Sequence, residues 1–143
     1  MITYVVDANV AAKWILPATD EPLSKEALEL LRGYSTGEAR FLVPDLFWAE
    51  LGNVLWKSVR LRRLSRASAE AGLRDTRERD FPTVPSRTLL EAALVISCTF
   101  DRSLYDATYL ALALDSKSQL VTADERLANA VAAHLPVRWL GAI

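Results

Sequence analysis

The sequence predicts an α/β protein, a three-layer α/β/α sandwich around a central, mostly parallel sheet. Short β-branched runs alternate with longer segments of helical period, and parallel strands joined by helical crossovers are what such alternation produces. The 143 residues amount to one domain, and a chain of that length buries a core without staples. No repeat, low-complexity stretch or linker divides it, so residues 1–143 are expected to form a single domain.

The elements follow in order. Ile2–Val6 is a short apolar run ending at Asp7, which suits a buried strand. Ala8–Leu16 reads as a short helix stopped by Pro17. Asp20 and Pro22 are expected to open a second helix, Leu23–Arg32, ending in a loop over Gly33–Gly37. Phe41–Val43 is a second strand. Pro44-Asp45 starts a third helix, with Phe47, Leu51, Val54 and Leu55 on one face. Arg66–Arg79 is a charged, exposed helix, and Phe81–Pro85 a breaker or short edge strand. Ser86 is expected to cap an apolar helix, Leu89–Phe100. Ser103 opens another, Leu104–Asp115, whose core face would be Ala107, Leu110, Ala111 and Leu114. Gln119–Thr122 is a strand, Asp124–His134 a last helix and Val137–Leu140 a final strand.

Composition narrows the setting. The chain is 51% apolar and 24% charged, ordinary for a soluble globular protein. No apolar run approaches the ~20 residues of a membrane span, and Asp7 arrives too early for a secretory leader. The single cysteine, Cys98, lies in an apolar helical stretch and is expected to be a buried, inert thiol. That usage fits the cytoplasm. A net charge of −1 gives no overall attraction to nucleic acid. One stretch differs: Lys57, Arg60, Arg62, Arg63 and Arg66 are five basic residues in ten with no acid between them. They suit a solvated helix end or a phosphate-binding surface.

Open parallel sheets place ligands beyond the carboxyl ends of their strands. Asp7 and Asp124 fall there, and Glu50 and Asp106 lie near helix N-termini expected to face the same edge. Three of these acids have simple local roles. Asp7 suits an N-cap, Asp106 fits a capping box begun by Ser103, and a second box, Thr122 to Glu125, leaves Asp124 in a dipole-favoured first turn. Glu50 has no such role: it borders Leu46, Phe47 and Val54 with no Lys or Arg at helical spacing, and Asn53 is its one polar neighbour. Convergence of four carboxylates is unfavourable without a cation. An all-oxygen set without a Cys/His group points to Mg²⁺ or Mn²⁺.

Four segments now resemble a known family: Val5-Val-Asp-Ala-Asn-Val10, Pro44 to Asn53 (PDLFWAELGN), Tyr105 to Ala113 (YDATYLALA) and Leu120 to Leu127 (LVTADERL). In this order and at these intervals they look like the successive signatures of PIN-domain ribonucleases, above all the VapC toxins of toxin–antitoxin pairs. The resemblance covers nearly the whole chain. It implies that Asp7, Glu50, Asp106 and Asp124 bind the metal and carry catalysis, with Asn9, Asn53 and Thr122 as supporting polar groups. The implied reaction is hydrolysis of RNA, with one or two Mg²⁺ or Mn²⁺ ions activating a water and leaving a 5′-phosphate and a 3′-hydroxyl. A homodimer and a small antitoxin partner are implied as well. One departure stands: Cys98–Ser103 lacks a glycine common before the third acid.

On this reading Lys57, Arg60, Arg62, Arg63 and Arg66 become candidate RNA contacts, since they follow the helix bearing Glu50. Two other acidic-pocket folds fit poorly. A response-regulator phosphotransfer domain needs a lysine near its last strands, and the final lysine here, Lys117, precedes the strand leading to Asp124. A haloacid-dehalogenase-type phosphatase needs an acid where Asn9 stands. The remaining rival is a catalytically silent PIN fold kept as an RNA- or protein-binding module.

Overall fold

In the computed structural model, which describes residues 1–143, five parallel strands form one sheet in the order β3-β2-β1-β4-β5. They are β1 (Ile2–Val6), β2 (Ala39–Pro44), β3 (Thr83–Val84), β4 (Gln119–Thr122) and β5 (Val137–Trp139). The helices are α1 (Ala8–Ala11), α2 (Ser24–Ser35), α3 (Leu46–Arg60), α4 (Arg66–Glu78), α5 (Leu90–Phe100), α6 (Leu104–Asp115) and α7 (Glu125–Val131). Right-handed crossovers place α1–α4, which carry the chain from β1 out to β3, on one face. The return through α5 and α6 to β4, and α7 beyond it, covers the other. This is the expected α/β/α sandwich.

The sheet centre is the driest part. Val5 pairs with Leu42 on one side and Leu120 on the other, and Val6 with Val121. Val5, Val6, Leu120 and Val121 are fully buried, which explains why these strands read as unbroken apolar runs rather than alternating ones. Against one face, Trp14, Tyr34, Phe41, Phe47 and Phe81 form an aromatic cluster with neighbouring ring centroids 5.0–6.3 Å apart. On the other, α6 is buried continuously from Ala107 to Ala113.

Several expected boundaries shift, each for a local reason. The first helix tightens after Ala11 into a 3₁₀ turn, Ala12–Trp14. The second begins at Ser24, because Lys13 Nζ donates to Glu21 (2.7 Å) and to the Pro22 carbonyl (2.6 Å) and fastens that segment outside the helix. It then runs through Gly33 to Ser35. Gly37 at φ +82° lets Glu38 N–H close on Gly33 and Gly37 N–H on Tyr34, a left-handed cap that only glycine adopts without cost. Ser86 does not cap α5: a 3₁₀ turn, Ser86–Leu89, intervenes, and the Ser86 hydroxyl donates to Asp45 instead. Leu114, expected in the core, is 48% exposed, and Cys98 is exposed rather than buried.

Gly72 in α4 is needed for a close approach. A Cβ there would stand 2.4 Å from Ile15 Cγ2 and 3.2 Å from its Cβ, and a β-branched side chain has little rotamer freedom to retreat. Gly→Ala inside a helix ordinarily stabilises by about 1 kcal/mol. Gly72→Ala should reverse that sign and cost about 1–2 kcal/mol through overpacking, read as a lowered urea midpoint with an unchanged m-value.

Candidate active site

β1 and β4 lie side by side, yet the chain leaves them toward opposite faces of the sheet. The crevice between their carboxyl ends is therefore the topological switch point, where open α/β sheets bind ligands. Asp7 caps α1 from the end of β1, its Oδ1 accepting Asn9 N–H at 3.2 Å. Asp124 caps α7 just past β4, its Oδ1 accepting Leu127 N–H at 3.1 Å. Asp124 is thus the N-cap itself, rather than a first-turn residue behind a Thr122 cap.

Thr122 does something else. Its hydroxyl oxygen accepts from Asp124 N–H (3.1 Å) and from Asn9 Nδ2 (3.3 Å), which occupies both lone pairs. The hydroxyl proton is left pointing at Asp7 Oδ2, 2.9 Å away. Asn9 completes the link, its Oδ1 accepting Ala123 N–H at 3.0 Å. Of the supporting polar groups expected from the sequence, Asn9 and Thr122 are in place. Asn53 is exposed and makes no side-chain hydrogen bond to the cluster.

Glu50 reaches the crevice from α3, and Asp106 from the first turn of α6, where Ser103 Oγ accepts Asp106 N–H at 3.1 Å. The partner that sequence could not supply for Glu50 is Tyr109. This phenol, 1% exposed, donates to Glu50 Oε1 at 2.6 Å and accepts Ala8 N–H at 3.4 Å. It stands three residues after Asp106, on the same helix face. A tyrosine one turn from an acid, in an otherwise apolar helix, was the signal that could have found it.

The four acids repel one another. Burial pushes the Asp7 carboxyl up to about 7, helped by Glu50 and Asp106 and opposed by its hydrogen bonds from Asn9 and Thr122. Burial also raises Glu50, against the pull of its Tyr109 bond and with Asp106 adding repulsion. It raises Asp106 too, with Asp124 as the main repelling neighbour and Arg102 acting the other way. The Tyr109 phenol is driven far upward by burial and by the charges of Asp7 and Glu50, so it stays a proton donor. None of the four carboxylates joins an ion pair; every salt bridge lies elsewhere. The acids stand as neighbours, with no three gathered closely enough to grip one ion. Hard oxygen donors whose negative charge no ion pair offsets are the chemistry that suits a divalent cation such as Mg²⁺.

The basic stretch divides in two. Arg60 lies 5.0 Å over the Trp56 ring, and Arg66 pairs with Glu70 at 3.0 Å. Arg63 turns the other way, into a groove that also holds Asn9 and Asp124. Lys57 and Arg62 are exposed. Trp14 and Trp48 are half-buried against the core, whereas Trp56 is 54% exposed.

A parallel α/β fold with four carboxylates at its switch point defines a class, a domain built around an acidic site. Comparison with known proteins makes the class specific. The family model described as the PIN domain matches residues 4–132, and the chain belongs to that family. A search of curated proteins gives no match. Among solved structures, the chain is similar to PAE2754 from Pyrobaculum aerophilum, with 24% identity and a TM-score of 0.65 over 98% of this chain and 85% of that one. It is similar to a chain of a toxin–antitoxin complex from Klebsiella pneumoniae, with 16% identity and a TM-score of 0.60 over 98% and 99%. It is also similar to VapC20 of Mycobacterium tuberculosis, a toxin that cleaves the sarcin–ricin loop, with 18% identity and a TM-score of 0.65 over 92% and 95%. At these identities the likeness is one of fold.

Two outcomes follow from the site's electrostatics. Tyr109→Phe keeps the packing but removes the proton donated to the Glu50 carboxylate, and should cost about 1.5–3 kcal/mol in urea denaturation. The second concerns pH in EDTA. Asp7 is protonated below about 7 in the folded chain and below 3.8 otherwise, so the folded state holds the extra proton between those values. The contribution of this group is then most favourable below 3.8, falls by on the order of 4 kcal/mol as pH rises from there to about 7, and is level above that. Asp7→Asn should flatten that fall, measured as thermal midpoints at pH 5 and pH 8.

Proposed function

We propose that this protein is a metal-dependent endoribonuclease of the VapC type, the toxin of a toxin–antitoxin pair. The observation that carries the reading is the convergence of Asp7, Glu50, Asp106 and Asp124 at the β1/β4 switch point, where none of them joins an ion pair. Membership of the PIN family supports it. So does the fold shared with an RNA-cleaving toxin, which brings RNA to this chain by analogy.

Mg²⁺ or Mn²⁺ would be held by the four carboxylates once they draw closer together than they now stand. Once bound, the ion would polarise a water and offset the charge that builds on the phosphate during hydrolysis. The chain's own residues keep the acids in place. Thr122 and Asn9 fix Asp7 against the β4–α7 junction, and Tyr109 fixes one oxygen of Glu50 while leaving Oε2 free. Asp124 is held by one oxygen at the α7 N-terminus. Preorganised acids need no reorganisation as the reaction proceeds.

The same reading carries a homodimer, a small antitoxin that blocks the site, and a place in the cytoplasm. No helix is long and apolar enough to cross a membrane. Leu94, Val95 and Tyr105 are 57–66% exposed on α5 and α6, an apolar surface of the kind that a second copy covers.

Purified protein should cut a mixed pool of structured RNAs with Mg²⁺ or Mn²⁺ and not with EDTA, and Asp7→Asn and Asp106→Asn should each lower the rate at least about 100-fold. The 5′ and 3′ ends of the products would report the chemistry. Equal cutting by both variants would mean that the acids do not carry the reaction, and RNA bound but uncut by every form would favour a silent binding module.

A further inference from the structure

The groove beside the carboxylates has an unusual wall. It has a volume of about 280 Å³, and its polar lining brings Asn9 and Asp124 together with Lys13, Glu21 and Arg63. Lys13 and Glu21 are nearly buried, with side chains 7% and 11% exposed. Lys13 Nζ binds Glu21 Oε1 at 2.7 Å and the Pro22 carbonyl at 2.6 Å. The second oxygen of Glu21 accepts Arg63 Nη2 at 3.1 Å, and the Arg63 side chain is 46% exposed.

A buried ion pair of this kind contributes little to stability compared with apolar residues of the same shape. What it does here is fix a carboxylate at both oxygens. Glu21, anchored by Lys13, holds one edge of the Arg63 guanidinium at the lip of the groove. A guanidinium has five N–H donors, so most of them still face solvent. Lys13 and Glu21 cancel in charge, which leaves Arg63 as the net cation among the residues that line the groove.

Arg63 also belongs to a second groove, of about 540 Å³, which continues past Arg62, Ser65, Arg66 and Ser68. No acid lines it. The Arg66–Glu70 pair beside it is an exposed i,i+4 contact, worth only tenths of a kcal/mol and readily exchanged for another anion. A polyanion repelled by four carboxylates therefore meets, beyond Arg63, a groove lined by two further guanidinium groups, those of Arg62 and Arg66.

We propose that these two grooves, joined at Arg63, carry the sugar–phosphate backbone of the RNA on one side of the scissile bond. Arg63 contacts the phosphate next to the site, Arg62 and Arg66 contact those beyond, and the Lys13–Glu21 pair positions Arg63. The proposal rests on the ribonuclease reading. It also divides the basic stretch: Lys57 and Arg60 line neither groove.

The test is binding of a short fluorescein-labelled single-stranded RNA in EDTA, followed by anisotropy across a range of salt. Arg63→Ala and Arg62→Gly should each weaken binding several-fold and make the log Kd against log salt slope shallower by about 0.7. Arg62 sits at φ +59°, where glycine is favoured, so that variant keeps its fold. Glu21→Gln retains an acceptor for Lys13 but frees Arg63. If Glu21 only repelled RNA, its neutralisation would tighten binding; as a positioning residue it should loosen it, and with Mg²⁺ raise KM at unchanged kcat. Arg87→Ala, an equal loss of charge outside both grooves, sets the baseline. The proposal is overturned if Arg63→Ala and Arg62→Gly change the slope no more than Arg87→Ala, or if Glu21→Gln tightens binding. Metal-dependent cleavage that persists beside such a result would sink the track alone and spare the nuclease reading, whereas wild-type protein that neither binds nor cuts RNA would sink both.

Discussion

The hydroxyl of Thr122 sits where the two central strands end and their helices part, and the site is organised around it. With both lone pairs taken by N–H donors, its one proton has a single place to go, the inner oxygen of Asp7. The two segments so joined are 115 residues apart in sequence. Remove that oxygen and Asp7, Asn9 and the first turn of α7 lose their common reference. The sheet supplies the flat, dry floor, since Val6 and Val121 beneath are fully buried, and only a side chain with one donor and two acceptor sites fits above it.

Around that point the fold accepts an electrostatic penalty. Asp7 is buried with no cation, and Glu50 and Asp106 are raised by burial and by their neighbours. Tyr109 relieves one of the three and cannot relieve the others. The aromatic cluster and the fully buried run of α6 supply cohesion on either side of the sheet. Stability is thus concentrated in the layers and charge at one rim, the division expected of a scaffold holding a reactive edge. A second charged group shows the same economy of means: Lys13 and Glu21, nearly buried together, hold an arginine outward.

Much of this was legible in the sequence because its grammar is local. An apolar run followed by an acid marks Asp7, and Ser103 with Asp106 marks the start of α6 where it is found. The alternation of strands and helices gave the parallel sheet, though not its strand order. What escaped depends on contacts across the fold. Tyr109 finds Glu50 at a separation of 59 residues; its place one turn after Asp106 points to the site but not to Glu50 as its partner. Nothing local shows that a lysine before Trp14 will be buried beside Glu21. The apolar helix α5 is hydrophobic on every side, so its sequence does not say which face is covered. Cys98, Leu94 and Val95 prove to be on the outside.

The strand order has a consequence for synthesis. β1 is made first and lies at the centre, but its partner β4 spans residues 119–122. Until that segment leaves the ribosome, the first strand has one open edge and Asp7 lacks the hydroxyl that fixes it. Of the four acids, two come from the last forty residues, Asp106 and Asp124. The crevice is therefore completed only after Asp124 has been made, so a shorter nascent chain carries no assembled site near the ribosome that is making it.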